Sequence, residues 1–321
     1  MEQLALFDEL TLDGKIQRSI DVIKLAAEMS EQYYGKPLLV CYSGGKDSDV
    51  LLDLVKRSGV PFEIQHGLTT VDAPPTVQHV KKVFRELEEH GIHTEIIKGT
   101  YKGKETTMWR LIEEKKLPPT RLIRYCCQVF KETATPNRFV CLGVRRAEST
   151  NRATRKEFEV LALQTATALR YDFNHVLENF NFAQEHAGEE NADVWDCKII
   201  SNAKANNDVI TNPIIYWLDS DIWEYVETYN VEMNPLYSMG YSRVGCVGCP
   251  MATAKTREKE FEDFPQYKDN YIKAFDKMIE HRKESGLSCE WKDGADCFEW
   301  WLYGNERKDE KQIEGQETLF D

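Results

Sequence analysis

Apolar residues recur at two different spacings along the chain, and the way these spacings alternate predicts the fold. From Ile16 to Tyr34 they return at helical spacing, whereas Pro37–Tyr42 is a short, continuously apolar run of the kind found in buried strands. A helical pattern resumes from Asp49 to Arg57. The order strand, loop, helix therefore surrounds a turn that contains two adjacent glycines, Gly44 and Gly45.

The same alternation continues downstream. The pattern predicts strands at 62–66, 94–97 and 138–142, and helices at 76–90 and 106–115. Strands that alternate with helices of this length predict an α/β fold with a doubly wound parallel sheet. Ligands of such sheets bind beyond the carboxyl ends of the strands.

The chain is expected to divide into four segments: a tail at 1–15, a main α/β domain at 16–233, a smaller, mainly helical, cysteine-bearing region at 234–308, and a flexible charged tail at 309–321. Periodicity fades within the main domain at 174–208, where we expect a polar insertion or mobile loop. Regular pattern then returns, and Asp219 or Ser220 is expected to cap a helix that ends near Tyr229.

Composition is that of a globular protein. Of 321 residues, 41% are hydrophobic and 30% are charged, and no apolar run is long enough to span a bilayer. The first residues lack the pattern of a secretory signal, so we expect a cytoplasmic protein. The net charge of −13 gives no reason to expect tight non-specific binding of nucleic acid, although a local basic groove is compatible with that total.

The hexapeptide Ser43-Gly44-Gly45-Lys46-Asp47-Ser48 is the first candidate site. A glycine-rich turn between a strand and a helix leaves backbone N–H groups free to surround an anion, and the helix N-terminus adds partial positive charge. Lys46 adds a full charge, while the hydroxyls of Ser43 and Ser48 can donate to phosphate oxygens. The alternative interpretation is a simple turn with a helix-capping serine.

Four of the nine cysteines form the second candidate site. An adjacent pair, Cys126 and Cys127, and a Cys-Val-Gly-Cys motif, Cys246 and Cys249, together supply four thiolates, which suit a tetrahedral zinc ion or an iron–sulfur cluster. Neighbouring side chains on a helix diverge by about 100°, which favours the wider cluster. Unrelated buried thiols are the alternative. Three others are expected to be ordinary core or surface residues: Cys41, Cys141 and Cys197.

A third motif, Gly143–Arg152, follows the strand predicted at 138–142. Arginines at the carboxyl end of a strand can hold a phosphate or sulfate in bidentate fashion. We therefore expect Arg145 and Arg152 to bind the anion, with Glu148 or Ser149 positioning them. A solvated charged surface is the alternative interpretation.

Together these motifs resemble the phosphoadenosine phosphosulfate (PAPS) reductase family of the adenine-nucleotide α-hydrolase (PP-loop ATP pyrophosphatase, HUP type) superfamily. The resemblance runs in order from about Leu38 to Cys249. It implies an adenine nucleotide on the loop, with Mg²⁺ when the nucleotide is ATP, and catalytic roles for Lys46 and Asp47. It also implies that the four cysteines hold a 4Fe-4S cluster.

The chain departs from the reductases of this family at its C-terminal end. Their catalytic Glu-Cys-Gly-Leu/Ile-His segment is missing, and only Cys289 and Cys297 remain as thiols there. The resemblance is therefore closer in kind to the iron–sulfur ATP pyrophosphatases of DNA phosphorothioation, with a cysteine desulfurase as sulfur donor. The alternatives are a PAPS or adenylylsulfate reductase, which needs a thiol reductant, and a non-catalytic nucleotide or redox sensor.

Both ends of the chain carry a further motif. Gln3-Leu-Ala-Leu-Phe7 and Gln316-Glu-Thr-Leu-Phe320 resemble the Gln-x-x-Leu-Phe peptides that dock on the bacterial sliding clamp. A sliding clamp is thus one expected partner. Chance pentapeptides are the alternative.

Overall fold

The computed structural model describes residues 11–131, 137–160, 169–187, 199–200 and 208–304. The two terminal Gln-x-x-Leu-Phe peptides, Cys197 and the tail at 309–321 lie outside these residues. In chain order the helices are α1 Leu12–Tyr34, α2 Lys46–Ser58, α3 Pro74–Glu89, α4 Met108–Lys115, α5 Tyr125–Phe130, α6 Phe173–Glu185, α7 Asp219–Tyr229, α8 Ala254–Asp263, α9 Pro265–Glu284 and α10 Gly294–Tyr303.

The strands are β1 Leu38–Cys41, β2 Phe62–Leu68, β3 Thr94–Lys98, β4 Thr100–Tyr101, β5 Lys104–Glu105, β6 Phe139–Leu142, β7 Phe158–Val160, β8 Leu169–Tyr171 and β9 Val209–Thr211. Each strand and helix predicted from periodicity is present, with boundaries shifted by a few residues. The α/β fold class is confirmed.

A seven-stranded sheet in the order β3-β2-β1-β6-β9-β7-β8 forms the centre of the fold. Strands β2, β1, β6 and β9 are parallel, but β7 pairs antiparallel with both β9 and β8. The sheet is therefore mainly parallel and not wholly so. A parallel crossover usually needs an intervening helix. Between Leu142 and Phe158 the chain forms only two 3₁₀ turns, Arg146–Glu148 and Thr150–Arg152, before β7 enters the sheet.

Two local predictions need correction. Most of the first half of the expected polar insertion is helix α6, because Asp172 accepts a hydrogen bond from the N–H of His175 and caps it, and Val176 and Phe180 are buried. Helix α7 begins at Asp219, and neither Asp219 nor Ser220 caps it. The N-cap is Leu218, whose N–H donates to the Asp221 carboxylate at 2.6 Å.

The chain divides into two compact units, whose bounds differ from those of the predicted domains. Unit 1 comprises 1–67, 74–97 and 134–244, and unit 2 comprises 68–73, 98–133 and 245–321. The core of unit 1 packs helices against the sheet, with side chains such as Val22, Val40, Leu51, Phe139 and Trp217 buried in one cluster.

Unit 2 contains the β4–β5 hairpin, α4, α5 and α8–α10. Its core is aromatic: Tyr271 lies 4.9 Å from Trp109 and 4.6 Å from Trp301 between ring centroids, and Phe261 lies 5.0 Å from Phe298. Among the described residues, no helix is long and apolar enough to cross a membrane.

Candidate functional site

The glycine-rich hexapeptide forms the turn between β1 and the N-terminus of α2, as predicted. Gly44 has φ +72°, a conformation that favours glycine, and a Cβ there would lie 3.0 Å from Val80 Cγ2 and 3.3 Å from Thr76 Cγ2. The turn thus lies close against α3. Its backbone N–H groups and those of the first helical turn are donors suited to an anion.

The serines of the loop close the turn on itself. The Gly45 N–H donates to Ser48 Oγ at 3.0 Å, and the Ser48 hydroxyl donates to the Gly45 carbonyl at 2.7 Å. Ser43 Oγ lies 3.1 Å from Ser48 Oγ. Ser48 therefore takes part in capping α2, as in the alternative interpretation. The side chains of Lys46 and Asp47 take no part in this capping, so they can contact a ligand.

Four charged side chains meet at this loop. Lys46 Nζ lies 3.4 Å from Asp47 Oδ2 and 3.1 Å from Asp219 Oδ1. Arg145 is buried, and its guanidinium donates to Asp47 at 2.6 Å and to Asp219 at 3.0 Å. Burial raises the pKa of Asp219, but the hydrogen bond from Lys46 and the charges of Lys46 and Arg145 outweigh it and lower that pKa. The network holds Lys46 at the helix N-terminus.

The segment at 143–152 contributes to this site in part. A Cβ on Gly143 would lie 3.0 Å from the Asp47 carbonyl oxygen, so glycine allows the close approach of the two segments. Glu148 accepts the Arg145 N–H at 2.9 Å and forms an ion pair with Arg152. Ser149 is exposed. Arg145 is thus placed at the loop, whereas the ion pair of Arg152 is with Glu148.

Three side chains that support the loop were not predicted from the sequence: Tyr237, Asn234 and Asp219. The Tyr237 hydroxyl accepts the Lys46 N–H at 2.8 Å, and the Asn234 amide donates to the Gly44 carbonyl at 2.7 Å and to Thr76 Oγ1 at 3.1 Å. Tyr237 and Asn234 both lie in the segment Asn234–Tyr241, which follows helix α7 and carries no chemical motif of its own. Asp219 was also missed, since it had been interpreted as a helix cap.

A second missed feature joins the two ends of the loop. Tyr42 precedes Ser43 and Asp49 follows Ser48; their side chains form a short hydrogen bond to each other, and both contact His79, at 2.9 and 3.0 Å. All three side chains are buried. Burial, then the charge of Asp49, raises the pKa of Tyr42 well above its usual value, so the hydroxyl stays a donor. This triad fixes β1 to α2 and α3.

The four predicted cysteine ligands all belong to unit 2. Cys126 and Cys127 lie in the short helix α5. The backbone of Cys246 forms an isolated antiparallel β-bridge with that of Asp72, and the Cys246 sulfur lies 3.6 Å from Thr69 Oγ1. Cys249 follows in the same turn, since its N–H donates to the Cys246 carbonyl at 3.1 Å.

Mutual electrostatic effects indicate that these sulfurs share one neighbourhood. A hydrogen bond with Cys126 lowers the pKa of Cys127 to about 5, and the same bond, together with burial and the charges of the other three cysteines, raises the pKa of Cys126. Burial raises the pKa of Cys246. The charge of Cys246 is the largest factor that raises the pKa of Lys131, to which Cys249 and Cys127 also contribute.

Whether this donor set fits a metal group depends on its spacing. Within the described ranges, no three or more His, Cys, Asp or Glu side chains are arranged to hold a metal ion. The four thiols are soft donors of the kind that suits either a zinc ion or an iron–sulfur cluster.

The Cys246–Cys249 turn is held from several sides. The Val247 N–H donates to the Val71 carbonyl at 2.8 Å, and Tyr271 donates its hydroxyl to the Val247 carbonyl at 3.1 Å. The Gly248 N–H donates to the Glu260 carboxylate at 2.7 Å. Such fixation sets the positions of the two cysteines before any ligand arrives.

Gly248→Ala is expected to lower the free energy of unfolding of unit 2 by about 2–5 kcal/mol, from left-handed backbone strain and overpacking. Gly248 has φ +73°, and a Cβ there would lie 2.6 Å from Phe261 and 3.0 Å from Trp301. Gly286→Ala is the matched control, because Gly286 has φ +67° but nothing lies within 4 Å of its Cβ position. Chemical denaturation of both variants measures the difference, and equal losses would refute the packing argument.

The two cysteines near the C-terminal end differ in accessibility. Cys297 is fully buried in α10, and burial raises its pKa, with a further contribution from Cys289. Cys289 is half-buried, with its sulfur 3.5 Å from the Trp291 carbonyl. The raised pKa of Cys297 disfavours the thiolate form that attacks sulfur. Cys141 is a buried core residue, and Cys41, half-buried, packs beside the core, as predicted.

The sheet is mainly parallel, and a glycine-rich turn leads from β1 to the lysine at the start of α2. The protein is therefore an α/β protein with a candidate anion-binding loop at the carboxyl end of a parallel strand. Residues 37–252 match the model of the phosphoadenosine phosphosulfate reductase domain. The chain belongs to this family.

Several relatives are similar over much of the chain. An adenosine 5′-phosphosulfate reductase of Allochromatium vinosum is 30% identical over 249 residues, 76% of this chain and 78% of the relative. An uncharacterized protein of Methanocaldococcus jannaschii is 24% identical over 81% of this chain and 45% of its own length. A second protein of that organism is matched over 53% of its length, so the chain spans about half of these two relatives.

Two solved structures show weaker likeness. A PAPS reductase of Candida auris has a TM-score of 0.37 at 15% identity, over 74% of this chain and 96% of that one. The U34-tRNA thiolase NcsA of Methanococcus maripaludis, with its [4Fe-4S] cluster, has a TM-score of 0.29 at 12% identity, over 85% and 83%. Neither likeness is close enough to assign a function.

Proposed function

We propose that the protein is an ATP-pyrophosphatase-type enzyme that activates an acceptor for sulfur transfer. The network of Lys46, Asp47, Arg145 and Asp219 at the N-terminus of α2 supports this function most directly. Two cations and two carboxylates at a helix N-terminus suit a triphosphate that arrives with Mg²⁺. The phosphates can bind the cations, and Mg²⁺ can bind the carboxylates that these cations contact.

The proposed reaction has three steps. An acceptor oxygen attacks the α-phosphorus of ATP, which forms an adenylated acceptor and releases pyrophosphate. A persulfide formed on a cysteine desulfurase then attacks the activated atom through its outer sulfur, and AMP leaves with the oxygen. A thiol reductant cleaves the remaining sulfur–sulfur bond and is itself oxidised to a disulfide, which leaves the new carbon–sulfur or phosphorus–sulfur bond on the acceptor. Lys46 and the loop amides stabilise the charge that develops on pyrophosphate, while Asp47 orients Mg²⁺ and Arg145 orients Asp47.

Cys126, Cys127, Cys246 and Cys249 would hold the 4Fe-4S cluster. When bound, a cluster held by four thiolates would supply electrons. The protein side of this centre is the fixed Cys246–Cys249 turn, the short helix α5, and Lys131, whose charge offsets that of the thiolates.

Isotope exchange between pyrophosphate and ATP tests the adenylation step. Anaerobically purified protein is incubated with labelled pyrophosphate, ATP and Mg²⁺, with and without candidate acceptors. We expect label in ATP only when an acceptor is present, because formation of the adenylate is reversible. If no acceptor produces exchange while sulfite forms from a sulfonucleotide, the reductase is the correct function.

Adenylylsulfate or PAPS reduction is the second candidate. The similarity to the Allochromatium vinosum reductase, over most of both chains, favours it. The burial of Cys297 and the lack of a Glu-Cys-Gly-Leu/Ile-His segment weigh against it, because the reaction needs an accessible thiolate that attacks sulfur. Release of sulfite in the presence of a thiol reductant would identify this activity.

A further inference from the structure

Positive charge is concentrated in one part of unit 2. The whole chain has a net charge of −13, yet residues 98–131 contain nine lysines and arginines and three glutamates. The remainder of the chain is correspondingly more acidic. Such a segregation of charge is the electrostatic footprint expected of a surface that binds a polyanion.

The acidic residues of this segment do not neutralise its remaining cations. Each of its three glutamates already contacts a lysine: Lys98–Glu105 at 3.1 Å, Lys102–Glu114 at 3.3 Å and Lys277–Glu113 at 3.2 Å. Lys277 lies outside the segment, so the three glutamates pair with only two of the segment's nine lysines and arginines.

Lys115 and the β4–β5 hairpin of this segment pack against the helix that carries Cys126 and Cys127. Lys115 Nζ lies 4.4 Å from the ring centroid of Tyr101 in β4 and 5.8 Å from that of Tyr125 in α5. A Cβ on Gly99 would lie 2.2 Å from the Phe130 ring, so the hairpin and α5 are in close contact. We call four exposed cations of this described segment that form no ion pair with its glutamates the basic face: Lys104, Arg110, Arg121 and Arg124.

Exposed apolar side chains lie within the basic face. Leu122 is 95% exposed and Ile123 is 44% exposed, and both lie in sequence between Arg121 and Arg124. Arg121 donates to the Pro250 carbonyl at 2.9 Å, which places Met251, 42% exposed, beside this loop. Large apolar side chains that are this exposed commonly mark an interaction site.

We infer that the basic face binds an unpaired strand of a nucleic acid, which is the sulfur acceptor or carries it. The phosphates of a strand provide anions for the cations of the basic face. Unpaired bases also offer flat apolar faces to Leu122 and Ile123, which a duplex does not. This inference rests on the proposed function for the role of the strand as acceptor, but the binding itself does not depend on it.

Fluorescence anisotropy of the full chain, purified anaerobically, with single-stranded RNA, single-stranded DNA of the same sequence and the corresponding duplex tests the inference. We expect single strands to bind more tightly than the duplex, with a steep loss of affinity as salt rises. Lys104→Glu with Arg110→Glu should reduce the magnitude of the salt slope by about 1 for each cation removed. The matched control, Lys273→Glu with Lys283→Glu, has the same charge change on exposed positions of α9 and should retain at least half of the affinity.

Leu122→Ser should weaken single-strand binding several-fold and leave the salt slope unchanged, since it removes an apolar contact and no charge. Equal losses in the control pair, duplex bound as tightly as single strands, or equally tight binding of polyglutamate would each overturn the inference. ATP binding, measured on the same variants, should be unaltered. Nucleic-acid binding without pyrophosphate exchange would contradict only the proposed function.

Discussion

Lys46→Ala is expected to weaken ATP binding by about 10- to 100-fold, the loss typical of a charge-assisted hydrogen bond to phosphate. Lys46 Nζ lies at the N-terminus of α2, 3.1 Å from Asp219 and 3.4 Å from Asp47. Once the lysine is removed, both carboxylates face the incoming triphosphate with less compensation. Isothermal titration with ATP and Mg²⁺ measures the change, and pyrophosphate exchange should fall at least as far.

Lys56→Ala is the matched control for this variant. Lys56 lies in the last turn of the same helix and is exposed, so its removal changes net charge equally without touching the loop. Equal ATP affinities for the two variants would show that the loop does not bind the phosphates. Circular dichroism of both proteins tests whether the helix remains folded.

Cys246→Ser with Cys249→Ser is expected to eliminate bound iron and acid-labile sulfide, because two of the four proposed ligands are lost. Serine is a poor ligand for a cluster that thiolates hold. Cys289→Ser is the control, since the half-buried Cys289 contacts the Trp291 carbonyl and is not among the proposed ligands. Iron, sulfide and zinc analysis of the anaerobic proteins measures the outcome.

Two outcomes would contradict the assignment of the cysteines. Full iron content in the double serine variant would place the cluster elsewhere, and stoichiometric zinc in the unaltered protein would replace the cluster with a single ion. Loss of iron in Cys289→Ser as well would show that the control residue belongs to the centre.

Much of the fold could be predicted because its signals are local. The helical spacing from Ile16 to Tyr34 and the short apolar run before Ser43 each depend only on residues near in sequence. The antiparallel strands β7 and β8 could not be predicted in this way. They are three residues long, and their direction depends on how β7 enters the sheet beside β9.

In the candidate site, too, residues near in sequence were predicted and residues distant in sequence were not. Gly44, Lys46 and Asp47 form one contiguous motif, so sequence alone identified them. Tyr237 reaches the Lys46 N–H across 191 positions, and Asn234 reaches Gly44 across 190. Only tertiary structure brings such partners together, and no local pattern distinguishes them from packing residues.

The unit boundaries illustrate a further limit of sequence reasoning. Segments 68–73 and 98–133 belong with the C-terminal region, although they lie within the predicted main domain. Hydrogen bonds such as that between the Val247 N–H and the Val71 carbonyl create this grouping, and periodicity along the chain cannot reveal it. The sequence alone therefore did not show that the positively charged segment 98–131 belongs to the same unit as Cys246 and Cys249.

Competitive nucleotide binding tests directly whether ATP, and not a sulfonucleotide, is the nucleotide that the protein uses. Anaerobically purified protein is titrated with ATP and Mg²⁺, PAPS and adenylylsulfate, each displacing the same fluorescent adenine nucleotide. We predict tighter binding of ATP and Mg²⁺ than of either sulfonucleotide, with the preference lost in Lys46→Ala. Tighter binding of a sulfonucleotide would contradict it and make Cys289 and Cys297 the first residues to replace.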